Sequence, residues 1–313
     1  MLGSLREKVI FLAQKRKIKR MFRKSLGYDG DFENPKTYQE KVQFRKLYGN
    51  HHFYAMVADK YRVRDYVTEK AGAQYLIPLL GAYDRLNASV FESLPKAFII
   101  KANHGCKWNR VVNDKDAMDV RQLIRYFNKQ RTKRWGKVAG ERHYDFIKPK
   151  IVIEQLLQSA QGGLPWDYSF FCYNGPRGFE CNFAICSPQG KAAAFDMNWT
   201  LMQSNIPEEE LAPHVRPTNF DEMVAVARRL SADFDFVRVD LYNIEGKIYF
   251  GEITCTPHQG FGIIKDEKRQ KMRSEMWQLD AMNPLLYHAP KAYRDPKGYR
   301  REPVAVSASL QQV

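Results

Sequence analysis

The sequence predicts an α+β protein in which helices come first and an antiparallel sheet follows. Helical signals, among them a Thr-x-x-Glu capping box at Thr37–Glu40, are concentrated before residue 130. From Ile151 onward, short apolar runs of strand length follow one another. Helical and strand segments that are separated along the chain in this way are typical of the α+β class.

Composition excludes several classes of protein. With 313 residues, of which 44% are apolar, the chain can form about two domains with a sizeable core, so it is not a disordered protein. Its apolar runs are far shorter than the roughly 20 residues that a membrane span needs. The net charge of +15 indicates an anionic partner such as nucleic acid, acidic lipid, acidic glycan or nucleotide phosphate. Because no nucleic-acid-binding motif is found, we do not expect a nucleic-acid partner.

The cysteines indicate a reducing compartment. Their number is odd, and no two have the C-x-x-C spacing of a zinc or redox site. We therefore expect free thiols in a soluble cytoplasmic protein, and we see no signal peptide at the N-terminus.

Residues 1–27 favour a basic amphipathic helix, in which Leu5, Val9, Leu12 and Phe22 form an apolar stripe. Such a helix can bind a membrane surface or a polyanion, or it can pack on the body of the protein with a solvated basic face. Most of its basic residues lie in the second half, namely Lys15, Arg16, Lys17, Lys19, Arg20, Arg23 and Lys24.

The remaining elements follow from periodicity and from turn residues. The capping box opens a helix that runs to Tyr48 and ends at Gly49. Residues after about Lys265 are polar and give no clear pattern. We divide the chain into a basic helical segment (1–57), a central domain (58–266) and a polar C-terminal extension (267–313). The patterns further predict helices over 59–70, 116–130 and 221–230, and strands over 75–80, 97–101, 151–155, 168–173, 179–186, 191–199, 236–242 and 247–254.

The strongest chemical signal is a hairpin near residue 245. A three-residue loop ending in Gly246 pairs Arg238 with Glu252 and places Asp240, Glu252 and Thr254 on the face of Arg238. A two-residue loop would send Glu252 to the opposite face. Two carboxylates on one face form a natural Mg²⁺ site, and the arginine could hold a phosphate. From the residues alone, an ordinary Arg238–Glu252 ion pair with a solvated Asp240 is an open alternative.

Several motifs, taken in order, resemble those of the ATP-grasp ligases and most closely the TupA-like branch of bacterial polysaccharide biosynthesis. The resemblance covers roughly residues 30–265 and implies an ATP-grasp fold, in which the nucleotide lies between two α+β subdomains. The chain departs from the pattern in its loop Gly105-Cys-Lys-Trp108, and in Thr254 where many of these enzymes have Asn. The motifs are Asn34-Pro-Lys-Thr, Glu40-Lys41, Asp59-Lys-Tyr, Val63-Arg64, Lys101-Ala-Asn-His-Gly, Ile151-Val-Ile-Glu154, Arg238-Val-Asp-Leu-Tyr and Tyr249-Phe-Gly-Glu-Ile-Thr-Cys-Thr-Pro257.

The resemblance implies roles for the basic residues and for the hinge. Lys60 and Lys101 would contact the α- and β-phosphates of ATP, although Lys60 could equally be an ordinary surface lysine. Asn103, His104 and Gly105 would form the loop over the phosphates, with His104 and Lys101 among the catalytic residues. The hinge that reads the adenine edge through backbone atoms would be Glu154, Gln155 and Leu156.

The same resemblance implies the metal site and the reaction. Asp240 and Glu252, with Thr254 as a weaker candidate, would hold Mg²⁺, and Arg238 would stabilise an acyl phosphate and the tetrahedral intermediate that follows. The implied enzyme is an ATP-dependent carboxylate-amine ligase with ATP and Mg²⁺ as cofactors. It would attach an amino acid to a uronic-acid-containing capsular or O-antigen glycan, with possible contact to the inner membrane face through the basic N-terminus.

Two other functions stay open at this stage. Asp233-Phe234-Asp235 is a D-x-D tripeptide of the kind that glycosyltransferases use to hold a metal ion and a nucleotide sugar. A polyglutamate-type peptide ligase would use the same ATP chemistry on a different acceptor.

Overall fold

The structure, a computed structural model, describes residues 5–159 and 162–288. Within these ranges, no helix has the length and apolar character that a bilayer span requires. The helices are α1 (Leu5–Leu26), α2 (Tyr38–Tyr48), α3 (His51–Ala58), α4 (Val63–Lys70), α5 (Val120–Gln130), α6 (Gly136–Ala139), α7 (Glu208–Leu211), α8 (Phe220–Ser231) and α9 (Glu267–Met276). The strands are β1 (Leu79–Tyr83), β2 (Phe98–Ala102), β3 (Asn109–Val112), β4 (Ile151–Gln155), β5 (Asp167–Gly175), β6 (Gly178–Cys186), β7 (Ala192–Phe195), β8 (Leu201–Ser204), β9 (Phe236–Ile244) and β10 (Lys247–Thr254).

The strands form two antiparallel sheets, which confirms the predicted α+β class. The smaller sheet has the order β1-β4-β2-β3, and the larger has the order β10-β9-β5-β6-β7-β8. Helix α5 buries Leu123 and Phe127 in the core of the smaller sheet. Helix α8 buries Met223 and Val226 in the core of the larger sheet. Part of the opposite face of the larger sheet packs against Tyr38 of α2 and Trp277, and the rest of that face forms a cleft with the smaller sheet.

Helix α1 packs through its second half. Ile18 and Phe22 are fully buried, whereas Leu5, Val9 and Leu12 are exposed to solvent. The single apolar stripe predicted for these residues is therefore wrong, because successive helical residues are about 100° apart and Phe22 lies roughly 80–140° around the helix from the other three. The helix is anchored to the body at one end and presents apolar side chains to solvent at the other.

The capping box at the start of α2 is confirmed. Thr37 Oγ1 accepts a hydrogen bond from Glu40 N (3.3 Å), and Glu40 Oε2 accepts one from Thr37 N (2.9 Å). At the other end a Cβ on Gly49 would lie 2.3 Å from Arg45 O, so the helix ends at a residue that must have no side chain.

The segment between α3 and β1 differs from its prediction. Residues 59–62 form a turn, in which Asp59 Oδ1 accepts from Tyr61 N (2.9 Å), and α4 begins only at Val63. The strand predicted over 75–80 begins instead at Leu79. Proline has no N–H to donate to a ladder, and Pro78 contributes only its carbonyl, which accepts from Gln155 N (3.0 Å). Lys60 therefore lies in a turn rather than on a regular helix.

Helix α9 was not predicted, because its residues are almost entirely polar. It ends beside Trp277, whose fully buried ring packs on Phe236 at 4.5 Å and on Tyr38 at 5.8 Å between centroids. These contacts hold α2 and α9 against the larger sheet. All five cysteines are free thiols, as expected, and residues 289–313 of the predicted C-terminal extension lie outside the described ranges.

Candidate active site

The β9–β10 hairpin has a different register from the predicted one and still brings the same side chains together. The loop has two residues, Glu245 (φ 50°) and Gly246 (φ 82°), and not three. Positive φ at both positions is the signature of a type I′ turn. A bulge between Phe250 and Glu252 then shifts the ladder by one residue, so that Glu252 pairs with Asp240. The bulge cancels the change of face that a two-residue loop would otherwise cause.

The bulge depends on Gly251. A Cβ at this position would lie 3.0 Å from Asp240 O and 3.3 Å from the ring of Tyr242. A side chain there would push β10 away from β9 at the point where the two carboxylates meet.

Arg238 links the polar side chains of this face. Its Nη2 donates to Asp240 Oδ2 (2.6 Å), Glu252 Oε1 (2.8 Å) and Thr254 Oγ1 (3.1 Å). Its Nε donates to Asp240 Oδ1 (2.8 Å). The simple alternative, in which Asp240 is solvated, is wrong, because Asp240 is 5% exposed and accepts hydrogen bonds from the same guanidinium as Glu252.

The two carboxylates have opposite pKa shifts. Burial raises the pKa of Asp240 to about 7 against the attraction of Arg238, and the negative charges of Glu252 and Asp167 add to that rise. Burial also acts on Glu252, but the positive charges of Arg238 and Lys60 outweigh it and lower its pKa. Glu252 therefore keeps its charge more readily than Asp240, and Lys60 lies near enough to influence it.

The opposite wall of the cleft is positively charged. Lys101 Nζ lies 2.8 Å from Glu154 Oε2, and Arg64 Nη1 lies 3.1 Å from Glu154 Oε1. Lys60 Nζ donates to Gly105 O at 2.8 Å. Together with the hairpin side chains, Lys60, Arg64, Lys101 and Glu154 line a cleft of about 270 Å³ between the two sheets. A basic wall that faces a carboxylate pair suits a polyphosphate held through a divalent cation.

The loop after β2 is held by its own polar side chains. Asn103 Nδ2 donates to Asp59 Oδ1 (2.8 Å) and to Lys148 O (3.0 Å), and Asn103 is fully buried. His104 is also buried, with Nδ1 3.2 Å from Asn103 Oδ1 and Nε2 3.3 Å from Gln130 O. Neither side chain lines the cleft. Both side chains stabilise the loop from the protein interior. Their direct contacts with ATP stay a prediction.

Trp108 accounts for the unusual composition of this loop. A Cβ on Gly105 would lie 2.6 Å from the indole ring of Trp108, which also packs on His104 at 5.2 Å between centroids. Trp108, a large side chain where the resemblance leads us to expect a small one, therefore occupies the space that a side chain on Gly105 would need.

The predicted hinge residues follow one another at the end of β4. Glu154 turns its side chain to Lys101 and Arg64, while Gln155 is exposed and its N–H is hydrogen-bonded to Pro78 O. Leu156 is the first residue after the strand. The side chain of Glu154, for which no role was predicted, positions both cations. The backbone role of all three residues stays a prediction.

Two further polar residues of the cleft face, Asp167 and Ser169, were missed. Ser169 Oγ donates to Asp240 Oδ1 at 2.8 Å, and Asp167 is the cross-strand neighbour of Tyr242. Burial raises the pKa of Asp167 to about 6. Alternation along β5 places Asp167 and Ser169 on one face, but only the pairing of β5 with β9, about 70 residues away along the chain, brings that face to the hairpin.

The D-x-D tripeptide is used for folding. Asp235 is 1% exposed, lies 2.5 Å from Arg45 Nη2 and accepts from Tyr287 OH (2.8 Å). Asp233 is 5% exposed and pairs with Lys70 Nζ at 2.8 Å. Both carboxylates are engaged with buried or half-buried partners, which disfavours the glycosyltransferase alternative.

The carboxylate pair fits Mg²⁺. Asp240 and Glu252 supply hard oxygen donors that share one nitrogen of Arg238, so they are close enough to bind one ion. The described residues contain no cluster of three or more His, Cys, Asp or Glu side chains arranged for a metal. Magnesium commonly takes only one or two protein carboxylates and completes its shell with water and phosphate oxygens.

Comparison with known proteins gives one family match. A family model described as TupA-like ATPgrasp matches residues 40–276, which is more than two thirds of the chain. No curated protein sequence matches the chain.

Solved structures of ligases are also similar to parts of this chain. The D-alanine-D-alanine ligase from Helicobacter pylori is 17% identical with a TM-score of 0.43, over 71% of this chain and 61% of that one. The ATP complex of the Bacillus anthracis D-alanine–D-alanine ligase is 13% identical with a TM-score of 0.38, over 76% and 69%. Phosphoribosylamine–glycine ligase from Thermotoga maritima is 13% identical with a TM-score of 0.41, over 66% and 50%. The chain thus spans less than two thirds of the first and third of these proteins.

A substitution at Asp235 tests whether this carboxylate stabilises the fold or binds a ligand. Asp235→Asn leaves the fully buried Arg45 without its counter-charge and should lower the free energy of unfolding by about 3–5 kcal/mol, as measured by urea denaturation. Asp221→Asn, which removes an exposed carboxylate, is the matched control and should change it by less than about 1 kcal/mol. A stable Asp235→Asn protein that has lost sugar-nucleotide binding would instead restore the glycosyltransferase interpretation.

Proposed function

The chain belongs to the TupA-like ATP-grasp family, and on that premise we propose that it is an ATP- and Mg²⁺-dependent ligase that joins a carboxylate to an amine. ATP-grasp ligases use ATP and Mg²⁺. The observation that carries the proposal is the convergence of Asp240 and Glu252 on one guanidinium nitrogen, opposite a wall formed by Lys60 and Lys101.

The residues on the two walls of the cleft would have different roles in the reaction. Lys60 and Lys101 would neutralise the phosphates of ATP, and Glu154 positions Lys101 for this task. Asp240 and Glu252, with Thr254 beside them, would hold Mg²⁺, which screens charge on the phosphates when it is bound. Arg238 lies among these groups and would stabilise negative charge that develops on the acyl group.

The proposed reaction has two steps. A carboxylate oxygen of the acid substrate attacks the γ-phosphorus of ATP, which breaks the bond to ADP and forms an acyl phosphate. An amine then attacks the acyl carbon, inorganic phosphate leaves, and a proton is released as the amide forms. No covalent bond to the enzyme is required.

We propose an acidic glycan as the carboxylate substrate and an amino acid as the amine. A net charge of +15 suits a polyanionic acceptor such as a uronic-acid-containing capsular or O-antigen glycan. Polyglutamate-type extension is the alternative with the same chemistry, and it would need only an acidic peptide acceptor.

The test is release of ADP and phosphate from ATP in the presence of Mg²⁺, a uronic-acid polysaccharide and pooled amino acids. We expect turnover that requires both substrates and that falls at least about 100-fold in Asp240→Asn and Lys101→Ala, because each loses a charge that faces the phosphates. Asp221→Asn and Lys265→Ala remove exposed charges and should retain wild-type rates. Turnover with glutamate alone would contradict the glycan substrate. Absence of ATP turnover, together with stabilisation by a UDP-sugar, would contradict the ligase.

The start of α1 supports a second part of the proposal, attachment to an anionic membrane surface. Leu5, Val9 and Leu12 are 79%, 58% and 51% exposed and form one stripe at helical spacing. Along the same side the stripe continues into basic residues, and such a face suits the boundary between acyl chains and anionic headgroups. These residues are Arg16, Lys19, Arg20 and Arg23, all exposed.

Vesicle cosedimentation tests this attachment. We expect binding to phosphatidylcholine vesicles only when they contain phosphatidylglycerol, and a loss of about tenfold or more in Val9→Asp, since an apolar side chain would no longer enter the bilayer. Val215→Asp is the matched control, because Val215 is 71% exposed at a distant site and should not affect binding. Equal binding of both variants would contradict attachment through α1.

A further inference from the structure

Helix α9 carries an arginine that is buried without a partner. Arg273 is 4% exposed, and its Nε and Nη2 atoms have no hydrogen-bond partner among the described residues. Its guanidinium lies 3.8 Å from the ring centroid of Phe171 and 5.6 Å from that of Tyr38. Contact with aromatic faces compensates only part of the cost of removing such a charge from water.

Two neighbouring polar side chains also have buried atoms without a hydrogen-bond partner among the described residues. Arg269 lies one helical turn before Arg273, and its Nε is buried without a partner, while its Nη1 donates to the neutral side chain of Gln203 (2.7 Å). The hydroxyl of Tyr38 is likewise buried and unpartnered. Burial and the charge of Arg273 lower the pKa of Arg269 to about 10 against the opposing charge of Asp266, the N-cap residue of α9. The guanidinium groups therefore have unmatched donors, and Asn182 Oδ1, a buried acceptor without a partner in the described ranges on the cross-strand neighbour of Phe171, is uncharged and cannot balance them.

This cluster adjoins the catalytic face of the larger sheet. Phe171, on which Arg273 stacks, is the direct cross-strand neighbour of Arg238. Burial and the positive charges of Arg238, Arg273 and Arg269 lower the pKa of His258 to about 4, so the three guanidinium groups share one neighbourhood. Arg238 is balanced by Asp240 and Glu252, whereas the two arginines of α9 have no such balance among the described residues.

We propose that Arg269 and Arg273 form an anion-binding subsite that takes a second acidic group of the carboxylate substrate. Arg269 is half-buried and would lie at the entrance, with Arg273 behind it. The planar guanidinium fork suits a carboxylate or a phosphate, so the group could be the carboxylate of a neighbouring sugar or the diphosphate of a lipid carrier. This inference rests on the proposed ligase for the identity of its ligand, but anion binding can be measured without turnover.

Thermal unfolding at constant ionic strength tests the subsite, with trigalacturonate and inorganic pyrophosphate as separate probes. Both are added with and without the Mg²⁺ complex of a non-hydrolysable ATP analogue, so that pyrophosphate cannot act by entering the nucleotide site. We expect a saturating probe to raise the Tm of the wild type by about 5 °C. That shift should vanish in Arg273→Met and persist in Lys268→Gln, which removes an exposed charge of the same helix.

The unliganded variant provides a second readout. If Arg273 serves a ligand, Arg273→Met removes an uncompensated buried charge and should raise the Tm without any probe by about 2–4 °C. Should Arg273→Met fail to fold, Arg273→Lys keeps the charge but loses the fork, and it should reduce the probe-induced shift by at least half. A shift with trigalacturonate alone assigns a sugar carboxylate, and one with pyrophosphate alone assigns a diphosphate.

Two results would overturn the subsite: a wild type that responds to neither probe, or a probe-induced shift that persists in the Arg273 variant. A shift that depends on Arg273, in a protein that does not respond to the nucleotide analogue, would keep the subsite and contradict the ligase.

Discussion

The bulge at Gly251 is the constraint on which the candidate active site depends. A two-residue turn fixes the start of the β9–β10 ladder, and without an extra residue it would place Glu252 on the face opposite Asp240. Gly251 supplies that residue, since a side chain there would crowd Asp240 O at 3.0 Å. Once both carboxylates share a face, a single guanidinium, that of Arg238, can bind both of them. The charge pattern of the cleft follows from this one irregularity in the sheet.

Buried charges in this protein fall into two groups with different consequences. Arg45 is fully buried, but its charge and its donors have partners. It donates hydrogen bonds to Asp235 and to Cys255 O, and its guanidinium lies 4.5 Å from the ring centroid of Trp277. Such an interaction fixes α2 on the larger sheet and leaves no capacity for a ligand. Arg273 is nearly as buried, but its Nε and Nη2 atoms have no hydrogen-bond partner among the described residues. Hydrogen bonding thus separates Arg45, which has a structural role, from Arg273, which we propose binds a ligand, although both are hidden from solvent.

The sequence predicted the fold class, most strands of the larger sheet and the residues of the hairpin, because alternation and turn chemistry act over a few residues. It predicted that Asp240 and Glu252 converge, but from the wrong loop length. The bulge that brings them together has no sequence signal other than Gly251, and a glycine in a strand need not indicate a bulge. The ion pairs of Glu154 with Lys101 and Arg64 were missed because they join three elements that are distant along the chain. Helix α9 was missed because its polar residues show no apolar face, and its buried contact is made by an arginine.

The most direct test of this account is binding of Mn²⁺, as a substitute for Mg²⁺, followed by electron paramagnetic resonance in the presence of a non-hydrolysable ATP analogue. Two carboxylates that share one nitrogen of Arg238 should bind the metal together with the nucleotide phosphates. We expect nucleotide-dependent Mn²⁺ binding in the wild type and a loss of at least tenfold in affinity in Glu252→Gln. Glu245→Gln, an exposed change in the turn of the same hairpin, is the control and should bind Mn²⁺ like the wild type. Equal Mn²⁺ affinity in Glu252→Gln and the wild type would contradict this account.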